Sequence, residues 1–471
     1  MASWEPLATT ALIALASAVA SLAVGYPLGY WLATLRRLRR VVTGVLLVPF
    51  LLPAFLVGLA IRPLLGNALA SEGLALIAII GAHVVMNAGF LAIVTAASLT
   101  SRDQYEAALL DGATERQIRW RVQWPQQLPA LSAAALLVAL YSATSYGLVI
   151  TLGGGSVETL ETQIARAALQ NLDLPLAATL AGLQTLLTLG FFLAARRAGA
   201  TPTVLFGEGD AFAGTSRWGG ALGFGVIGII VWIIGGVFAR ALLAGGGLFE
   251  NITNLAGRGT RDILNLSVAE ALGNSLRTLL IAATLSLAMA WLLSRRRVGL
   301  LVLLPIGISP VVFGLAALVI SGYLPLGVAG SWLLLPLVQA VFLTPLAFQV
   351  LAPARRALSS DILEAAALDG AGRGQTLWHI ELPSLAKPLA VATALVSVAS
   401  LGEFGAASFL AYGSQETLPL VMFRLMSRPG GDNLGMAMAA ASLFIFVAFA
   451  VVWAVSSLRE NTAVPEESTR A

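Results

Sequence analysis

The chain has 471 residues, 58% of them hydrophobic and 11% charged, with a formal net charge of +4 and no cysteine. A mean hydropathy of +0.86 excludes an ordinary water-facing surface and points to an all-α polytopic membrane protein. The missing thiols exclude disulfides and thiolate metal sites, and arginines clustered beside apolar runs read as topology signals, not as a nucleic-acid footprint.

A helix rising 1.5 Å per residue crosses the hydrocarbon layer in about 20 residues, and about eleven runs of that length are predicted. In the first half they lie near 8–34, 42–64, 74–98, 130–152 and 174–195. In the second they lie near 219–243, 274–294, 299–321, 329–352, 388–411 and 434–457. The first run, Leu7 to Leu35, has no basic residue before it and is too long for a signal core, so it is read as a retained span. Arg36, Arg37, Arg39 and Arg40 follow the first span, Arg196 and Arg197 the fifth, Arg295, Arg296 and Arg297 the seventh, and Arg355 and Arg356 the ninth. Placing these clusters in the cytoplasm predicts an outside N-terminus and a cytoplasmic C-terminus.

Residues 1–197 form a first unit of about five spans, 198–217 a polar linker with Pro202, Gly207, Gly209 and Gly214, 218–458 a second unit of about six spans, and 459–471 a tail. The run near 219–243 has no counterpart in the first half. Between it and the next span, 244–270 is the largest outside loop.

One polar stretch occurs twice. Tyr105-Glu106-Ala107-Ala108-Leu109-Leu110-Asp111-Gly112-Ala113 is matched by Leu363-Glu364-Ala365-Ala366-Ala367-Leu368-Asp369-Gly370-Ala371, and each copy meets a proline, Pro125 or Pro383, 13 residues past its glycine. The offset of 258 residues, from Glu106 to Glu364, also pairs Trp120 with Trp378, Gly147 with Gly405, Thr159 with Thr417 and Arg166 with Arg424. That register marks a duplicated module. Six predicted spans separate the copies, so the repeat is parallel, unlike the inverted repeats of many secondary carriers.

Within each copy the apolar spacing suits a short helix that Gly112 or Gly370 ends, with Asp361 placed to cap the second. A further amphipathic turn runs to the proline, which fixes the chain before it re-enters the membrane. The expected product is a helix, turn, helix in the cytoplasm, near 101–127 and 355–386. Small residues at Ala107, Ala108, Ala365 and Ala366 leave a surface that another protein can approach closely.

Polar groups at membrane depth are the candidates for a pathway. They are Glu403 beside Phe404, its repeat partner Ser145 in the patch from Tyr141 to Tyr146, Asn87 and Gln339. For Glu403, Asn87 and Gln339 the competing reading is an interhelix hydrogen bond. Arg166 and Arg424 fall outside, where a binding protein or lipid headgroups would meet them. His83 and His379 lack the neighbours a metal site needs, so no metal residues are assigned. Trp4, Trp31, Trp232, Trp291 and Trp453 are placed as interfacial anchors, while Trp120, Trp124 and Trp378 are expected to pack the loop helices on the bundle or on a partner. The single lysine, Lys387, is not preceded by a glycine-rich phosphate loop, so no ATPase motif is present.

The duplicated spacing, Glu-Ala-Ala, three residues, Gly, twelve residues and Pro, resembles the cytoplasmic coupling loop of permeases from ATP-binding-cassette importers. The copy with Glu364-Ala365-Ala366, Gly370, Ile380 and Leu382-Pro383 follows the family pattern nearly fully. The first keeps Glu106-Ala107-Ala108, Gly112 and Pro125 but has Val122 and Trp124 in place of Ile and Leu. Two copies in one chain resemble the fused permeases of the ferric iron and thiamine importer group, from which five spans in the first half depart, six being usual. The resemblance implies a type I importer core in a bacterial cytoplasmic membrane and an extracytoplasmic solute-binding protein. It also implies two cytoplasmic ATPase subunits that bind ATP and Mg, with no cofactor on this chain. An ion-coupled carrier and a docking scaffold remain as rival readings.

Overall fold

The computed structural model describes residues 4–35, 38–99, 102–199, 217–259, 262–296, 299–325, 331–358, 360–428 and 430–461. Arg36, Arg37, Arg297, most of the linker and most of the tail therefore lie outside the described residues, among which no strand occurs.

The first repeat contains α1 (Glu5–Thr34), α2 (Arg39–Leu51), α3 (Ala54–Leu65), α4 (Glu72–Ala97), α5 (Arg102–Leu110), α6 (Glu115–Ala143), α7 (Tyr146–Gly153), α8 (Leu160–Ala165) and α9 (Leu174–Arg197). After the linker come α10 (Arg217–Leu243), α11 (Leu248–Thr253), α12 (Val268–Ser294), α13 (Gly299–Leu303), α14 (Pro310–Ser321) and α15 (Leu334–Arg356). The second repeat closes with α16 (Ser360–Leu368), α17 (Arg373–Leu401), α18 (Ala407–Leu410), α19 (Leu418–Met426) and α20 (Gly431–Asn461). Among the described residues nine helices are long and apolar enough to cross a membrane, and two bent pairs raise the number to eleven if each is one span.

Those bent pairs correct two predicted straight spans. The run near 42–64 bends by 86° and the run near 299–321 by 101°. Both turns have a local cause, because a residue before proline is pushed out of the helical region. Leu52, before Pro53, has ψ 140, and Ser309, before Pro310, has ψ 153 while its hydroxyl accepts the Val312 N–H at 3.2 Å. The runs near 130–152 and 388–411 are also interrupted, after Ala143 and after Leu401.

A third correction concerns the prolines. Pro125 and Pro383 do not end a loop; each sits inside a helix that starts at Glu115 or Arg373 and continues into the membrane. Just before each proline the helix widens into a π turn, Ile118–Gln123 and Leu377–Glu381. That widening makes room for the ring, which would otherwise collide with the carbonyl one turn back.

Contacts across the bundle show that the duplicated stretches share one face. Trp31, in the last turn of α1, lies across Gly223 in the first turns of α10, where a Cβ would come within 2.4 Å of its ring. At the far end of α10, Asn251 donates to the Ala241 and Ala244 carbonyls at 2.9 and 2.7 Å and abuts Gly435 at the start of α20. On that far side Asn254, Asp262 and Asp432 line one polar pocket just before α12 begins. Hence α12 ends, at Arg295, on the side where α1 ends. Tyr30 of α1 holds the base of α6 and Arg295 the base of α17, so both loops protrude from that face.

Trp31 is thus a packing residue as well, its ring tilted against Phe224 at 5.6 Å, while Trp4 is exposed at the start of α1 and Trp232, also exposed, lies midway along α10 and not at a span end.

Candidate functional site: two elbows and a shared aromatic junction

Each duplicated stretch forms an elbow closed by its own main chain. In the first, Gly112 N–H donates to the Leu109 carbonyl at 3.0 Å and Ala113 N–H to Ala108 at 3.1 Å. In the second, Gly370 N–H reaches Ala367 at 3.1 Å and Ala371 N–H reaches Ala366 at 2.9 Å. This paired bonding is a Schellman cap, which needs a left-handed residue at the glycine position. Gly112 and Gly370 have φ of +82 and +78, values that cost an L side chain roughly 1–2 kcal/mol.

The next helix starts at once. Thr114 N–H donates to Gln117 Oε1 at 2.8 Å while Gln117 N–H returns to the Thr114 hydroxyl at 3.4 Å, a capping box. In the second elbow Gly372 has no side chain to reciprocate, and only the Gly372 N–H to Gln375 Oε1 bond, 2.9 Å, is made. Asp361 lies inside the first turn of α16 and not at its cap position.

Glu106, Ala107, Glu364 and Ala365 are exposed, Ala108 is half-buried and Ala366 is buried. The most exposed apolar side chains on the elbows were not singled out from sequence. Leu110 and Leu368 are each 89% exposed, at equivalent register positions. Trp120 and Trp378 are also mainly exposed, whereas Trp124 packs against Tyr26 with centroids 5.6 Å apart. Only Trp124 therefore seats its loop on the bundle. An apolar residue repeated at the same place before Asp-Gly was the available signal.

Between the repeats lies a buried aromatic junction. Phe404 stacks 5.6 Å from Phe55 and 5.6 Å from Tyr146, and it meets Phe423 edge-on at 5.4 Å. Both helix interruptions face this point: Gly402 follows α17, and a Cβ there would lie 2.2 Å from Pro53 Cγ in the first repeat. Tyr146 and Phe404 were among the pathway candidates read from the sequence; Phe55 and Phe423 were not.

Of the other polar candidates, Glu403, Gln339 and Asn87 are committed to bonds within the protein, whereas the buried Ser145 hydroxyl has no partner among the described residues. Glu403 curls back on its own chain and accepts the Ala406 and Ala407 N–H groups at 2.6 and 2.9 Å, fixing α18. Ser400 donates to Gln339 Oε1 at 2.6 Å, joining α15 to α17, and Asn87 donates to the His83 carbonyl at 2.8 Å within α4. Ser145 is buried and Tyr141 is partly exposed. Glu161, which stands where the second repeat has Pro419, is buried and accepts from Gln184 Nε2 at 2.7 Å. Near it the first repeat grips the second, as Thr188 donates to the Gly307 carbonyl at 2.6 Å.

Arg166 and Arg424 are paired within their own repeats, with Glu158 and Glu416 at matching positions. The Arg424 contact is 3.0 Å, and Glu416, fully buried, also accepts from Asn265 Nδ2 at 2.5 Å. Arg424→Ala is expected to destabilise the protein by about 1–3 kcal/mol, because a buried carboxylate is stranded. Arg166→Ala should cost less, since the Glu158 side chain is 34% exposed. Thermal unfolding of the two variants in detergent checks that ranking.

Parallel repeats, paired elbows on one face and a junction shared between repeats define a duplicated membrane-transport bundle. The chain belongs to the family described as binding-protein-dependent transport system inner membrane component, whose profile matches residues 25–245 and 282–459. It is accordingly a multi-span permease subunit. It is similar to the molybdenum transport system permease protein ModB of Escherichia coli K12, 31% identical over 163 residues, 30% of this chain and 71% of ModB. The sulfate transport system permease protein CysW of Synechococcus elongatus is 28% identical over 189 residues, 37% of this chain and 66% of CysW. Salmonella typhi PhnU, named for 2-aminoethylphosphonate transport, is 33% identical over 102 residues, 21% of this chain and 35% of PhnU. Each alignment is shorter than the spacing of the repeats. No solved structure matches the chain.

Proposed function

We propose that this chain forms the complete membrane pathway of an importer, and that its two elbows carry force from two separate ATPase subunits. The observation behind this reading is the pair of Schellman-capped elbows on one face, in register and each presenting an exposed glutamate and leucine. On this reading the elbow face is cytoplasmic and an extracytoplasmic binding protein delivers cargo to the other. ATP and Mg bind to the partners. Glu106, Ala107, Ala108, Gly112 and Pro125 serve one ATPase subunit; Glu364, Ala365, Ala366, Gly370 and Pro383 serve the other. The junction of Phe55, Tyr146 and Phe404 is the gate, and ATP-driven movement of the elbows biases it between outward-open and inward-open packings.

The cargo is a small solute. The relatives' names, molybdenum, sulfate and 2-aminoethylphosphonate, support a small anion, while the fusion of two repeats supports the ferric iron or thiamine type. Mass spectrometry of solute retained by the purified complex with its binding protein decides between them.

Reconstitution tests the mechanism: uptake must require ATP, the ATPase and the binding protein. Uptake driven by an ion gradient without the ATPase would replace this reading with an ion-coupled carrier. Leu110→Asp or Leu368→Asp is expected to weaken ATPase binding. Losing a leucine contact of about 1.5–3 kcal/mol corresponds to roughly 10- to 150-fold in affinity. Recovery of the ATPase on immobilised permease measures it, and undiminished recovery by the double variant would exclude these leucines from the contact.

A further inference from the structure

The two elbows are joined to the bundle by different chemistry. Glu381 is the last residue of the second π turn, two positions before Pro383. Its Oε2 accepts from Arg295 Nη2 at 2.8 Å and from Arg355 Nη1 at 2.9 Å. Arg295 follows the end of α12 and Arg355 lies in the last turn of α15. One carboxylate oxygen thus gathers the ends of two membrane helices at the foot of the third, α17, which continues directly from the elbow.

Two of the three members of this cluster are shielded from water. Side-chain exposure is 16% for Glu381 and 13% for Arg355, against 44% for Arg295. The Arg355 guanidinium also lies 4.2 Å from the Trp291 ring centroid on α12, a cation–π contact. Its Nε and Nη2 are buried with no hydrogen-bond partner among the described residues, so its hold on a hydrogen-bond acceptor depends on Glu381.

In the first repeat Gln123 occupies the place of Glu381, at the 258-residue offset. It is buried, and the Tyr30 hydroxyl donates to its Oε1 at 3.2 Å, with Gln127 Oε1 at 3.4 Å as the alternative acceptor. The foot of the first elbow is therefore tied to α1 by a neutral hydrogen bond and aromatic packing, and that of the second to α12 and α15 by an ion cluster.

We propose that Glu381 is a positioning residue through which the second elbow moves α12 and α15, so that coupling in this repeat depends on a carboxylate that the first repeat lacks. This rests on the reading of the elbows as ATPase contacts. A short carboxylate bridge transmits displacement to both helices only while both arginines hold it. An amide keeps the shape but not the charge, leaving Arg355 buried and unpaired.

The test is made on the full chain reconstituted with its ATPase subunits and binding protein, measuring uptake and ATP hydrolysis in the same proteoliposomes. Glu381→Gln is expected to retain the ATPase and to keep hydrolysing ATP, while solute moved per ATP falls about tenfold. Glu381→Asp should recover much of that ratio, and Arg295→Ala should lower it less than Arg355→Ala does. A neutral triple variant, Arg295→Gln with Arg355→Met and Glu381→Leu, leaves no stranded ion; it should assemble normally and still couple poorly. Wild-type solute per ATP in the triple variant, or loss of ATPase binding in Glu381→Gln, would overturn the inference. Failure of the unmodified chain to bind any ATPase would instead remove the elbow reading itself, and it shows before a variant is made.

Discussion

Gly370→Pro is expected to reduce ATP-driven uptake at least 100-fold while the chain still inserts in the membrane. Gly370 has φ +78 and its N–H closes the second elbow on Ala367 at 3.1 Å. Proline is restricted to φ near −65° and has no N–H, so the cap is lost and the preceding Asp369 is pushed from the helical region. Without the cap α16 no longer meets α17 at a fixed angle, and Glu364 and Leu368 are presented elsewhere. Gly370→Ala is the graded control, because it retains the N–H and pays only the positive φ, roughly 1–2 kcal/mol. Uptake by membrane vesicles, normalised to inserted protein, should rank wild type, Ala and Pro in that order. Wild-type uptake by the proline variant would mean that the elbow transmits nothing.

The second large effect is predicted at the junction. A Cβ at Gly402 would stand 2.2 Å from Pro53 Cγ, across the boundary between repeats. The backbone of Gly402 has φ −88 and ψ 1, a bridge-region geometry that does not require glycine, so the main effect of Gly402→Val is crowding against Pro53. Overpacking of this kind costs about 1–3 kcal/mol, and a cost borne by one packing only shifts the balance between two by about 5- to 150-fold. The variant should therefore hydrolyse ATP faster without binding protein and carry less solute per ATP. Hydrolysis still fully dependent on the binding protein would show that this contact does not govern the gate.

The elbows were legible because they interrupt apolar sequence with polar residues, and because a fixed register repeats their glycines. The parallel topology and the number of spans followed from the same signals. The bends at Pro53 and Pro310 were missed for a physical reason: hydropathy is the same for a run that crosses straight and one that turns, and only the pre-proline restriction distinguishes them. Leu110 and Leu368 counted in the sequence only as apolar positions of a short helix, because helical spacing does not tell whether that face is covered or left for a partner. The partners of Arg166 and Arg424 were available at Glu158 and Glu416, which occupy the same register and were not paired with them. Glu161 was hidden by the opposite circumstance, since its counterpart is Pro419 and the repeat itself gives no warning of it.

Helix α10 has consequences beyond the helix count. It belongs by sequence to the second repeat, yet it packs on α1 of the first and on α20 of the second, with Trp31 laid over Gly223. Among the described residues no helix of the first repeat stands against α12 in the same way. Among the described residues one seam between the repeats is strapped by a whole helix, while at the other α9 meets the second repeat through the Thr188 to Gly307 bond. An outwardly symmetrical duplication is therefore joined by unlike fastenings along its two seams.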